Sequence, residues 1–164
     1  MSIRKALVMT IAAVLVSAAA RDARGDINAT AFLGTSTAPG ARGAWGLAAG
    51  VGILVVAFEF EYSHMIDDQA SGTPALDTVM FNGMVQTPFV VKRLQFYGTL
   101  GGGLYRETLG DFDHTSGGID YGGGVKISIA GPLRARIDYR LFDLHGSARV
   151  PKPQRLYGGF IMSF

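Results

Sequence analysis

Residues 133–142 read Leu133-Arg134-Ala135-Arg136-Ile137-Asp138-Tyr139-Arg140-Leu141-Phe142. From Leu133 to Leu141 every odd position is apolar and every even position is charged. Successive side chains of a strand point to opposite sides, so this stretch makes one continuous apolar face and one face of three arginines and an aspartate. A helix would smear both sets around its circumference. The same division recurs upstream. In 53–63, Leu54, Val56, Phe58, Phe60 and Tyr62 oppose Glu59 and Glu61, and in 118–129, Ile119, Tyr121, Val125, Ile127 and Ile129 oppose Asp120, Lys126 and Ser128.

Eight such segments are separated by Gly, Pro, Asp and Ser clusters, at about 27–35, 43–50, 53–63, 77–88, 94–106, 118–129, 133–142 and 155–164. Short connections fall near Val51-Gly52, near Val90–Lys92 and at Ala130-Gly131-Pro132, and longer ones at 36–42, 64–76, 107–117 and 143–154. Tight turns alternating with long loops describe an up-and-down meander.

The first twenty residues read differently. Arg4 and Lys5 precede an apolar run from Ala6 to Val16, and Ser17-Ala18-Ala19-Ala20 supplies small residues for cleavage. This is the pattern of a secretory signal peptide, and the run is short of the ~20 residues a spanning helix needs. The expected division is therefore 1–20, signal peptide, and 21–164, barrel domain. With Arg4 and Lys5 set aside, the 15 basic residues fall to 13 against 13 acidic ones, a balance that argues against nucleic-acid binding. The chain has no cysteine, which excludes disulfides and thiolate metal sites.

The bulky face decides which way the sheet closes. An eight-stranded lumen has room for few large side chains, and Phe58, Phe60, Tyr62, Phe81, Phe96, Tyr121, Tyr139, Phe160 and Phe164 would crowd it. Turned outward, they meet lipid, and Gly46, Ala48, Gly50, Gly122 and Gly124 share the interior with the charges. In lipid every backbone polar group must be paired within the protein, which a closed barrel achieves. The expected lumen charge network is Glu59, Glu61, Lys126, Arg134, Arg136, Asp138 and Arg140. Its two readings are a salt-bridged plug and the lining of a narrow pore for ions or small solutes. Tyr62, Phe89, Tyr105, Phe142, Tyr157 and Phe164 are expected in interfacial girdles.

With these features the chain resembles the small eight-stranded bacterial outer-membrane β-barrels of the OmpA-transmembrane and OmpX type. The resemblance is carried by Ala44-Trp45-Gly46-Leu47, Glu59-Phe60-Glu61-Tyr62-Ser63, Phe96-Tyr97, Gly101-Gly102-Gly103-Leu104-Tyr105, Tyr121-Gly122-Gly123-Gly124-Val125-Lys126 and the 133–140 segment. It implies an all-β, antiparallel transmembrane barrel in the outer membrane, with both termini and the short turns on the periplasmic side. It also implies that Leu156, Phe160, Met162 and Phe164, on one face of 155–164 with Gly158, serve as a C-terminal signal to the barrel-assembly machinery. Implied partners are outer-membrane lipid and lipopolysaccharide, with a monomeric barrel. The expected role is structural or surface-interacting and non-enzymatic.

His145 and Ser147 raise the rival of a lipid A-modifying hydrolase. Ala148 follows the serine where such enzymes carry asparagine, and no Asp or Glu occurs after Asp143 to orient the base. No catalytic residue, metal or cofactor is expected. His64 with Asp67 and Asp68, and His114 with Asp111 and Asp113, read as solvated loop charge. A third rival is a soluble periplasmic barrel carrying a lipophilic ligand.

Overall fold

The computed structural model describes residues 26–38, 40–88, 90 and 93–164. The signal-peptide expectation, residues 1–20, and Phe89 lie outside these residues. Eight strands follow one another: β1 Asp26–Ala38, β2 Arg42–Ile53, β3 Val56–Met65, β4 Ala75–Gln86, β5 Leu94–Leu109, β6 Phe112–Ala130, β7 Leu133–Leu144 and β8 Gln154–Ser163. Each pairs antiparallel with the next, and β8 returns to β1, closing the sheet. At the seam Ala31 faces Phe160 and Leu33 faces Gly158. Closure leaves no unpaired edge among the strands.

The alternation in sequence sets the two surfaces. Outward, Leu33, Leu47, Phe58, Phe60, Phe81, Val85, Phe96, Leu100, Leu104, Ile137 and Phe160 are all exposed. On β6 the outward apolar set runs from Ile119 to Ile129, about 33 Å along the strand at ~3.3 Å per residue. At a tilt near 40° this is about 25 Å of height, the band a bilayer core requires. Inward, Glu59, Glu61, Asp120, Arg136, Asp138, Arg140 and Arg155 are buried. Polar inside and apolar outside is the reverse of a water-soluble barrel.

Small residues make room for this interior. Gly46 lies beside Phe32 in register, and a Cβ there would sit 2.2 Å from the Phe32 ring and 2.5 Å from the Tyr62 carbonyl oxygen. Gly101 pairs with both Asn82 and Asp120, and its Cβ would fall 1.8 Å from the Asn82 side-chain amide. Large and absent side chains are thus matched across neighbouring strands.

Four expectations are corrected. Residues 107–117 are not a loop: β5 and β6 continue to a two-residue turn at Gly110-Asp111, with Gly110 at φ +56°. Glycine at the first central position suits a tight hairpin, so His114 and Asp113 lie in a strand. Likewise His64 belongs to β3. The turn placed near Val51-Gly52 is at Leu54-Val55, with Leu54 at φ +52°, so Leu54 is a turn residue rather than part of the outward face. Gln86 holds that turn, its Nε2 donating to the Leu54 carbonyl at 2.8 Å and its backbone N–H to the Val55 carbonyl at 2.8 Å. Finally, Tyr105, Phe142 and Tyr157 point into the lumen and are buried, whereas Tyr62 and Phe164 lie on the outside. Tyr62 donates to Asp77 at 2.8 Å, which also meets His64 Nδ1 at 2.9 Å, and Trp45 packs edge-on against Tyr62. A band of polar and aromatic groups thereby borders the apolar wall on this side.

Candidate functional site

The lumen is organised in layers. At mid-height β7 projects Arg136, Asp138 and Arg140 from alternate positions, and β3 projects Glu59 and Glu61 from across the barrel. Arg136 grips Glu59 in a two-pronged contact, Nη1 to Oε2 at 2.5 Å and Nη2 to Oε1 at 3.0 Å, and its Nη2 lies 2.7 Å from Asp138. Its Nε donates to the Tyr97 hydroxyl at 2.7 Å, and that hydroxyl donates to Asp138. Arg140 reaches Asp120 at 2.9 Å, Glu61 at 3.1 Å and Glu59 at 3.1 Å. With its amide oxygen turned toward Arg140, Asn82 accepts from that guanidinium at 2.7 Å and donates to Asp120 at 2.8 Å.

Arg155 extends the network, with Nη2 3.0 Å from Glu61 and Nη1 on the Ser63 hydroxyl. Tyr157 donates to Glu61 at 3.3 Å and stacks on Phe32 with ring centroids 4.3 Å apart. Isolated buried charges would each cost several kcal/mol. Multidentate pairing offsets much of that cost, although Arg155 Nε is buried with no hydrogen-bond partner among the described residues.

Of the seven residues expected in this network, Glu59, Glu61, Arg136, Asp138 and Arg140 come together. Lys126 and Arg134 also face the interior but lie nearer the end with the tight turns. Lys126 Nζ meets Gln86 Oε1 at 3.0 Å, and Arg134 pairs with Asp26 at 3.2 Å. The expected set omits Asp120, Arg155, Tyr97, Tyr157, Asn82 and Ser63. Strand parity carried the signal: Asp120 shares its face with Lys126, and Arg155 and Tyr157 oppose the outward Leu156 and Phe160.

Beyond the charges, toward the longer loops, lies an apolar layer of Ala44, Met65, Leu76, Met80, Tyr105, Phe142 and Leu144, against which Ala148 of the last loop packs. Two inward charges fasten loops above it. Arg42 Nη1 donates to the carbonyls of Pro74 at 2.7 Å and Ile66 at 3.2 Å. The Glu107 carboxylate accepts from the backbone N–H groups of Arg149 at 2.8 Å and Val150 at 3.2 Å.

The other candidates are dispersed. His145 and Ser147 are exposed in the loop between β7 and β8. The His145 carbonyl accepts from the Tyr105 hydroxyl at 2.5 Å, and no hydrogen bond joins His145 to Ser147 among the described residues. Asp68 accepts from the backbone N–H groups of Ala70 and Ser71, and these bonds with the Ser71 side chain hold its carboxyl below the usual range. Asp113 is paired with the Arg106 guanidinium, whose hydrogen bonds likewise lower its carboxyl. Among the described residues no group of three or more His, Cys, Asp or Glu is placed to hold a metal. Leu156, Phe160, Met162 and Phe164 all lie on the outer face of the closing strand.

No protein-family model matches the sequence, and no curated protein matches it either. Solved structures do. Neisserial surface protein A superposes with a TM-score of 0.69 at 18% identity, over 85% of this chain and 97% of that one. The N-terminal β-barrel domain of Pseudomonas aeruginosa OprF gives 0.64 at 14%, over 87% and 100%. A major outer membrane protein from Thermus thermophilus gives 0.68 at 9%, over 86% and 100%. At such identities the likeness is one of fold: this chain has the fold of small eight-stranded outer-membrane barrels.

Proposed function

We propose that this protein is an exported bacterial outer-membrane β-barrel, with the tight turns and both termini on the periplasmic side, and that its role is structural or surface-interacting rather than catalytic. The observation that carries this reading is the inverted distribution of polarity. A continuous apolar wall encloses a lumen occupied at mid-height by paired charges and, above them, by an apolar layer. Such a wall is stable only against lipid or detergent, and such a lumen is a plug. The same fold in three solved outer-membrane barrels supports it.

The loop end is the surface available for contact outside the cell. Its loops are short and fastened by Arg42 and Glu107, which favours a compact contact surface over a large adhesive one. Outward residues of the last strand, Leu156, Phe160, Met162 and Phe164, would then be what the assembly machinery reads, and lipid and lipopolysaccharide would cover the wall. The barrel is proposed to be monomeric. The test is fractionation of expressing cells, then electrophoresis with and without boiling. The protein should sediment with outer membranes and change mobility on boiling. A protein recovered in solution without detergent, with unchanged mobility, overturns the reading.

A further inference from the structure

The lumen is not filled evenly. Below the charge network, at the end with the tight turns, a polar cavity of about 220 Å³ is bordered by Asp26, Asn28, Gln86, Gln95, Lys126 and Arg134. That is roughly the share of seven water molecules at ~30 Å³ each, room for a small anion. Two strands concentrate cations here: Lys126 faces Arg136 in register and Ser128 faces Arg134.

These three cations are held differently. Arg136 is saturated by Glu59 and Asp138, and Arg134 is matched by Asp26. Lys126 is 7% exposed, and among the described residues no carboxylate reaches its Nζ. Its partners are a neutral amide oxygen, Gln86 Oε1, and the face of the Tyr97 ring 5.3 Å away. An ammonium group has three N–H donors, so donor capacity remains. Gln86 and Gln95 are themselves fixed, their Nε2 atoms donating to the carbonyls of Leu54 at 2.8 Å and Thr87 at 3.1 Å. A nearly buried ammonium with neutral partners, beside a preformed polar cavity, is the arrangement that binds an anion.

We infer that this vestibule is a binding site for a small oxyanion, a carboxylate or phosphate group, with Lys126 as its principal contact and Arg134 as the second. The orientation, and hence access from the periplasm, rests on the proposed outer-membrane reading; the site itself rests on the cavity and its cations.

The test uses the full barrel refolded in detergent micelles. Inorganic phosphate and, separately, acetate are titrated at constant ionic strength against chloride, followed by amide and side-chain NMR signals. Saturable shifts are expected at Asn28, Gln86, Gln95 and Lys126 with phosphate or acetate but not with chloride, and the more tightly bound anion identifies the source chemistry. Lys126→Met should weaken binding at least tenfold and Arg134→Gln by a smaller factor, while Lys152→Gln in the loop at the opposite end leaves it unchanged. Shifts that are linear, equal with chloride, or retained in the folded K126M protein overturn the inference. If K126M does not fold, binding unchanged in R134Q overturns it. A protein that keeps its boiling-dependent mobility yet shows no saturable shift sinks this site alone. Loss of that mobility difference sinks the outer-membrane reading instead.

Discussion

Arg140 pairs with more carboxylates than any other cation of the network. It touches Asp120, Glu61 and Glu59 within 3.1 Å and is fully buried. Removing it leaves Asp120 without a cation and Glu59 and Glu61 with Arg136 and Arg155 alone, and breaking a buried pair from one side costs about 3–5 kcal/mol. Arg140→Met should therefore lower stability by about that amount in urea unfolding from micelles. Arg106→Gln, on an exposed pair with Asp113, should change it little. A near-neutral Arg140→Met would mean that the network is dispensable. The small residues matter for the opposite reason. Gly46→Ala places a methyl into both the Phe32 ring and the Tyr62 carbonyl. Overpacking of this kind costs about 1–3 kcal/mol, and Phe32→Leu should restore only part of the loss because the carbonyl contact persists. The same urea titration, run on the single and double variants, checks this. Alternation in the sequence makes the facing of Glu59, Glu61 and the 133–141 stretch legible. It was equally able to place Tyr105, Phe142 and Tyr157 inside, since each shares parity with inward residues. Assigning them to girdles followed residue type where parity governs.

Among the elements, the β5–β6 hairpin departs furthest from expectation. Gly, Asp, His, Thr and Ser between 107 and 118 have the composition of a loop, yet the ladder runs from Glu107↔His114 to Leu109↔Phe112. Composition reports solvent exposure, and a hairpin projecting beyond the apolar band is exposed while still paired. The local signal was the Gly110-Asp111 pair between Leu109 and Phe112, a two-residue turn. The turn at Leu54-Val55 gave no such signal, because two apolar residues occupy it and Gln86, distant in sequence, supplies its hydrogen bonds. Outside the band, Asp113 gains its stabilising contact from Arg106, and its carboxyl is lowered in the fold. That contribution is fully present above the unfolded carboxylate value of about 3.9 and is lost as pH falls through the lowered folded value. Protection of the amides near the hairpin tip, taken relative to their intrinsic exchange rates, should therefore fall only under strongly acidic conditions, and Asp113→Asn should remove that acid-dependent fall. Glu107 offers a second check on the loop end. Glu107→Ala removes the acceptor for the Arg149 and Val150 N–H groups, so exchange at these two amides should accelerate while that of the barrel strands holds. Unchanged exchange there would show that the loop is fixed by its other contacts.

For the whole molecule, the arrangement of layers determines what the barrel lets through. The charge network fills mid-height, and the cluster of Met65, Leu76, Met80, Phe142 and Leu144 fills the section above it. Water or ions crossing the lumen would have to breach both, and the two obstruct for different reasons. The first binds its own charges too tightly to yield to a passing ion, and the second offers no polar partner. Eight strands leave no further room around them. The protein in a planar bilayer should accordingly show no stepwise conductance. Truncation within a single layer, as in Met80→Ala or Arg155→Ala, should leave it silent, since the other layer still closes the path. Thinning both at once, with Arg155→Ala, Met65→Ala and Met80→Ala together, is the change able to produce small steps, provided the triple variant keeps its boiling-dependent mobility. Regular conductance steps from the unaltered protein would overturn the plug reading. Steps from either single-layer truncation would show that one layer alone carries the seal.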